Sequence, residues 1–332
     1  MSHKDAVLEV KNLKKYFPIQ GGVFKRTIGH VKAVDNINFH INKNETFSLV
    51  GESGCGKSTT GRTILRLHEP TEGEVIFNGK NITDLKKSEF RKLRKDLQMI
   101  FQDPYSSLNP RMTVRKLLLE PILTHKLMSK EEAEKKVVEM IEKVGLSKEH
   151  LDRYPHEFSG GQRQRISIAR SLIVNPKVVI LDEAVSALDV SVQSQILNLL
   201  IQLQEEFELT YLFISHDLNV VKHISDRVGV MYLGQMMELA ETDELFDNPL
   251  HPYTQALLSA IPKMDLNDKR ERIILTGDVP DPSDPPSGCP FRLRCPMAHE
   301  RCAIDKPEYK EVKPNHYVAC HLYDEENEKV EA

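Results

Sequence analysis

Short runs of consecutive apolar residues alternate along the first 262 residues with longer segments whose apolar positions recur every three to four residues. The runs Phe47–Val50, Val178–Leu181 and Tyr211–Ile214 predict strands of an α/β domain, because strands covered on both faces read as continuous apolar stretches. After Asp189, the positions Ile196, Leu200, Leu203 and Phe207 fall on one helical face. After Ser129, so do Ala133, Val137, Met140 and Val144. Ser129 with Glu132 forms a capping box at the start of that second helix, and Gly145 supplies its stop. Residues from about 104 to 158 therefore read as a mostly helical insertion between strand-bearing segments.

At 332 residues the chain has length for about two domains of roughly 150 residues each. Charged residues are 28% of the total and the net charge is −4, which removes the strongly basic surface of a dedicated nucleic-acid binder. No apolar run approaches the roughly 18 residues of a membrane helix, and the first residues lack the apolar stretch of a secretory signal. A soluble globular protein is expected. The composition shifts near residue 262: 11 of the 18 prolines and four of the five cysteines lie beyond residue 248. From Lys263 onward there are 11 Lys and Arg against 15 Asp and Glu, so the tail carries the whole net charge. This predicts a domain over 1–262 and a C-terminal extension over 263–332.

Gly51-Glu52-Ser53-Gly54-Cys55-Gly56-Lys57-Ser58 has the phosphate-loop pattern GxxxxGK followed by Ser or Thr, placed between the strand Phe47–Val50 and a helix predicted to run to about Leu67. Its glycines let backbone N–H groups turn toward phosphate oxygens, and the helix N-terminus adds partial positive charge. Lys57 supplies a point charge near the β/γ-phosphates, and the Ser58 hydroxyl suits Mg²⁺. Asp182, at the end of its apolar strand, is the expected second metal ligand, with Glu183 beside it. Cys55 reads as a small residue filling the loop, the alternative being an activated thiol.

Phe158-Ser159-Gly160-Gly161-Gln162 resembles the signature of ATP-binding cassette (ABC) proteins, with Phe where Leu is usual. Ser159 and the two glycines open a helix predicted over Gln162–Leu172, making a second anion-binding helix start. The other motifs of that family follow in order: Gln102 of the Q-loop, Ser186-Ala187-Leu188-Asp189 of the D-loop, and His216 after a strand. The resemblance implies a head-to-tail dimer with ATP between the P-loop of one cassette and the signature of the other, contacts running through Thr59. It implies that Glu183 is the general base or water-orienting group, that His216 stabilises the transferring phosphate and positions the water, that Gln102 contacts Mg²⁺ or the attacking water, and that Asp189 couples the two sites. It places an adenine-stacking aromatic at Phe17, with Tyr16 as the neighbouring alternative. His223 and His251 read as structural.

Residues 102–111 and Asn248-Pro249-Leu250-His251-Pro252-Tyr253-Thr254 resemble the ATPases of oligopeptide/dipeptide permeases over essentially the whole chain. Gly21–Arg26 and Asp182–Ser186 resemble the F-type subunit of that group. The implied partners are a D-type ATPase, two transmembrane permease subunits and, indirectly, an extracytoplasmic substrate-binding protein, with the chain peripheral on the cytoplasmic face of the membrane. Nickel permease ATPases share much of the pattern and stand as the alternative. A soluble ABC protein acting on nucleic acid is disfavoured by the single cassette, the short insertion and the acidic tail.

Cys289, Cys295, Cys302 and Cys320 are spaced C-x5-C-x6-C-x17-C, four thiolate donors in a chain whose compartment disfavours disulfides. The gaps suit zinc poorly and an iron–sulfur cluster better, and the resemblance implies a 4Fe-4S cluster, as some relatives hold one there, with zinc or four separately packed thiols as alternatives. Such a metal would clip together a segment with little core of its own.

Overall fold

The computed structural model describes residues 5–22, 26–261 and 272–324. They divide into two compact units, one from residues 5–8, 41–46 and 77–214, the other from the described residues of 9–40, 47–76 and 215–324. The composition change near residue 262 lies outside the described residues.

In the first unit three parallel strands, Leu97–Ile100, Val178–Asp182 and Thr210–Ile214, lie side by side with Leu97 opposite Val178 and Val178 opposite Thr210. Every residue of the latter two strands is buried, which accounts for their unbroken apolar runs. Between the first and second strands the chain is helical, with helices at Pro104–Ser107, Val114–Thr124, Lys130–Lys143 and Gly160–Leu172 and two single 3₁₀ turns. The capping box forms as predicted: Ser129 Oγ accepts from the Glu132 N–H and the Glu132 carboxylate accepts from the Ser129 N–H. Ala133, Val137, Met140 and Val144 are all buried. Gly145 closes that helix at φ 76°, its N–H donating to the Glu142 carbonyl at 2.8 Å. Helix Val190–Phe207 buries Ile196, Leu200 and Leu203, while Phe207 stays partly exposed beneath the Lys143 ammonium.

In the second unit the strand Thr46–Val50 runs parallel to Arg227–Tyr232. That strand turns through Leu233 and Gly234, both at positive φ, into the antiparallel strand Gln235–Glu241. Two strands of the tail, Tyr309–Lys313 and His316–Ala319, then extend the sheet, Glu238 facing Val318 and Leu239 facing Tyr317. The tail thus shares a core with residues before it. Phe291, His316 and Val318 are fully buried, so this segment has a packed core shared with the rest of the unit. Helix Lys57–Ile64 stops three residues before the predicted Leu67, because Arg66 takes a left-handed conformation and the Leu67 N–H folds back to the Arg62 carbonyl.

Candidate active site

The second unit carries the P-loop, the aromatic pair Tyr16–Phe17 and His216, while the first carries Gln102, Asp182, Glu183, the signature and Asp189.

The P-loop has a steric requirement for its glycines. Gly51 at φ 146° and Gly56 at φ 103° would each drive a Cβ to within 2.2 Å of a backbone oxygen, of Met231 and Ala33 respectively. Gly56 caps the following helix without a side-chain bond, and that helix has no acidic residue in its first turn, so the positive N-terminus is uncompensated by the chain itself. Lys57 is 4% exposed, and its ammonium donates to the carbonyls of Gly51 (2.8 Å) and Glu52 (3.0 Å), folding back across the loop it belongs to. Burial pushes the Cys55 thiol above its usual range despite Lys57 nearby, so Cys55 is a neutral packing residue and not an activated nucleophile. Ser58 and Thr59 lie in the first turn of the helix, partly exposed. Among the aromatics, Tyr16 is committed to Asp35 by a 2.6 Å hydrogen bond, whereas Phe17 is partly exposed with its ring edge-on to His68 at 5.3 Å. His216 is exposed in the turn between a strand and the helix Leu218–Ile224, and His251 is buried.

In the first unit Asp182 is 1% exposed at the end of its strand, and the chain then turns sharply: Glu183 sits at φ 49° with its N–H on the Ile214 carbonyl. A left-handed glutamate is a strained position of the kind that persists where surroundings fix it. Gln102 Nε2 donates to Glu183 Oε2 at 2.8 Å, so two of the residues named from sequence meet. Ser159 and Gln162 form a reciprocal capping box at the signature helix, which begins at Gly160 and not at Gln162. A Cβ on Gly161 would stand 2.4 Å from Val192 Cγ1, so this glycine is also a packing requirement against the helix that Asp189 starts. Phe158 is buried with its ring edge-on to His150, a role that bulk alone satisfies.

The four tail cysteines, expected to hold a 4Fe-4S cluster or zinc, form no disulfide. Cys289 and Cys302 are buried, and each of the other three cysteines contributes to the raised pKa of Cys320, so the four converge. Yet among the described residues no group of three or more His, Cys, Asp or Glu side chains is placed to hold a metal ion. Burial pushes Cys289 up to about 11 and Cys320 up to about 12. Burial thus favours the neutral form of these two thiols, and the expected 4Fe-4S or zinc site gains no support among the described residues.

Sequence reasoning missed Tyr253 and Arg294. Tyr253 lies in the 248–254 stretch that carried the permease resemblance, and its hydroxyl accepts the Glu52 N–H at 2.9 Å. Arg294 holds the Glu52 carboxylate at 2.6 and 3.0 Å.

An ABC transporter domain model matches residues 34–186, and a model of the oligopeptide/dipeptide transporter C-terminal region matches residues 237–302. The oligopeptide transport ATP-binding protein AppF of Bacillus subtilis is 57% identical over 97% of this chain and 99% of its own length. The chain belongs to the oligopeptide/dipeptide-transport family of ABC ATPases. The dipeptide transport ATP-binding protein DppF of Escherichia coli is 48% identical over 96% of this ABC ATPase and 95% of its own length. A dimeric ATP-binding cassette solved after hydrolysis, with ADP and phosphate bound, is similar at TM-score 0.63 and 31% identity over 71% of this chain and 98% of that one. Hydrolysis of ATP is accordingly the reaction of this ABC ATPase.

Proposed function

We propose that the chain is the ATP-hydrolysing subunit of an importer of oligopeptides or dipeptides, working as a nucleotide-sandwich dimer with a second, D-type ATPase beneath two transmembrane permease subunits. The observation that carries this reading is the match of both the cassette and the distinctive C-terminal region, together with identity over nearly the full length of peptide-transport relatives. Among the described residues no helix is long and apolar enough to cross a membrane, and in this reading the chain attaches peripherally to separate permeases at the cytoplasmic face. An extracytoplasmic binding protein would deliver the peptide.

In this reading the nucleotide phosphates lie over the P-loop amides of residues 51–59, with Lys57 leaving its two carbonyl partners for the β/γ-phosphates. Phe17, not the committed Tyr16, is the ring offered to adenine. Ser58, Gln102 and Asp182 are an all-oxygen donor set of the kind Mg²⁺ prefers, and the ion when bound supplies charge neutralisation at the phosphates. Glu183 orients and deprotonates the attacking water, with Gln102 holding its carboxylate. His216 steadies the transferring phosphate. Ser159, Gly160, Gly161 and Gln162 serve the partner's nucleotide, and Asp189 links the two sites. A helical subdomain over about 104–158 and a C-terminal extension from residue 263 complete the organisation. The 4Fe-4S cluster, or zinc, expected at Cys289, Cys295, Cys302 and Cys320 is tested by iron and zinc analysis of anaerobically purified protein, and contents near zero would leave the four as separately packed thiols.

The test is ATP-driven uptake of a labelled di- or oligopeptide into vesicles containing the chain with the permeases that co-purify with it. Uptake that disappears in Lys57→Ala supports the reading; nickel uptake without peptide uptake would replace it with the nickel-permease alternative.

A further inference from the structure

Glu52, the second residue of the P-loop, is an awkward choice for a phosphate site. A free carboxylate there would repel a nucleotide carrying three or four negative charges. The structure gives it two dedicated partners from beyond the cassette motifs. Its N–H donates to the hydroxyl of Tyr253, a fully buried residue, at 2.9 Å. Its carboxylate is gripped by both terminal nitrogens of Arg294, at 2.6 and 3.0 Å, in the fork geometry that makes Arg–carboxylate pairs strong and directional.

Arg294 is itself well fixed. Its side chain is 8% exposed, and the guanidinium carbon lies 5.9 Å from the Tyr232 ring centroid. It follows a tight turn, the Arg294 N–H donating to the Phe291 carbonyl at 2.9 Å. Phe291, fully buried, packs its ring 5.3 Å from both Tyr232 and Tyr253. The same turn begins at Cys289, whose N–H donates to the Cys302 carbonyl at 2.8 Å. The tail therefore holds the Glu52 side chain directly, through Arg294, and packs Phe291 against the Tyr253 whose hydroxyl holds the Glu52 backbone.

We infer that Arg294 is a positioning residue of the ATP site: it neutralises Glu52 and draws its carboxylate aside, so that nucleotide affinity depends on the C-terminal segment. The inference rests on the P-loop reading and is independent of the transported cargo. Because the pair acts on the free loop before nucleotide arrives, it governs binding more than the chemical step.

The experiment measures binding of a fluorescent ATP analogue, methylanthraniloyl-ATP, and steady-state ATPase in the assembled transporter. In Arg294→Gln the dissociation constant and KM for ATP rise about tenfold while kcat at saturating ATP stays within about threefold, a tenfold change being ~1.4 kcal/mol. Arg294→Lys, a point charge without the fork, loses less. The decisive variant is Glu52→Gln/Arg294→Gln, which recovers most of the lost affinity because no carboxylate is left uncompensated. Unchanged affinity in Arg294→Gln, or a double variant as weak as Arg294→Gln alone, overturns the inference. Loss of binding in Lys57→Ala alongside unchanged Arg294→Gln leaves the ATP-site reading standing and sinks only the role of Arg294.

Discussion

The Gln102 amide donates a 2.8 Å hydrogen bond to the Glu183 carboxylate, although the two residues are 81 positions apart and belong to different motifs. Glu183 is aimed by its backbone as well: it stands at φ 49°, anchored through its N–H to Ile214, while its carbonyl accepts from the Ser186 hydroxyl at 3.0 Å. A strained backbone and an amide partner together fix the position of the Glu183 carboxylate.

Replacing Glu183 by Gln keeps the size and an acceptor for Gln102 but removes the carboxylate proposed as the base. ATP binding should survive while hydrolysis falls by about 10²–10⁴-fold, the usual worth of a general base. Single-turnover ATPase in the assembled transporter measures this, and turnover within a few fold of the parent would reject Glu183 as base. Gln102→Ala should slow turnover less, because it loosens the carboxylate without removing it.

The P-loop, the strand before Asp182, the signature cap at Ser159 and the helix of Ala133, Val137 and Met140 were all readable because each is written in residues close together in sequence. What escaped was non-local or polar. Arg294 lies 242 residues from Glu52, and no local spacing announces that pair. Tyr309–Lys313 is an edge strand whose residues are all exposed or partly so, without the apolar run that marked the central strands. The cysteine spacing was visible but the protonation state of the thiols was not, since burial decides it.

Lys57 bridges the carbonyls of Gly51 and Glu52, so Lys57→Ala removes a strut as well as the proposed phosphate ligand. A charge-assisted contact worth about 1.5–3 kcal/mol corresponds to roughly 10- to 150-fold in affinity. Titration with methylanthraniloyl-ATP should show a loss in that range, and a loss below about threefold would remove Lys57 from the phosphate site.

Glu238 is a fully buried carboxylate that ties the tail to the cassette. It accepts from the N–H groups of Leu250 (2.7 Å) and His251 (2.9 Å) and stands 2.7 Å from His316 Nε2, itself fully buried on a tail strand. Glu238→Ala leaves those groups in a dry interior without their acceptor, at a cost of about 3–5 kcal/mol. Urea unfolding should register that loss, with Glu238→Gln losing less because one acceptor oxygen remains. A change under about 1 kcal/mol in Glu238→Ala would mean that the tail strand is held by other contacts.

His251 makes the fold acid-sensitive in a defined window. It is 1% exposed, and its Nδ1 accepts the Tyr253 N–H at 3.0 Å, so it caps the helix Pro252–Ser259 as a neutral ring. Burial holds its pKa down at about 4, the facing Glu238 carboxylate offsetting this only in part. In the unfolded chain the ring titrates near 6.5, so below that pH the unfolded state takes up a proton that the folded state refuses. The contribution is therefore full above pH 6.5 and is lost as pH falls from 6.5 toward 4, by about 3 kcal/mol in all. His251→Asn supplies a capping oxygen that does not titrate. Thermal melts from pH 7 to pH 4.5 should show the stability of the parent falling more steeply than that of His251→Asn; parallel curves would show that His251 is not the group that titrates.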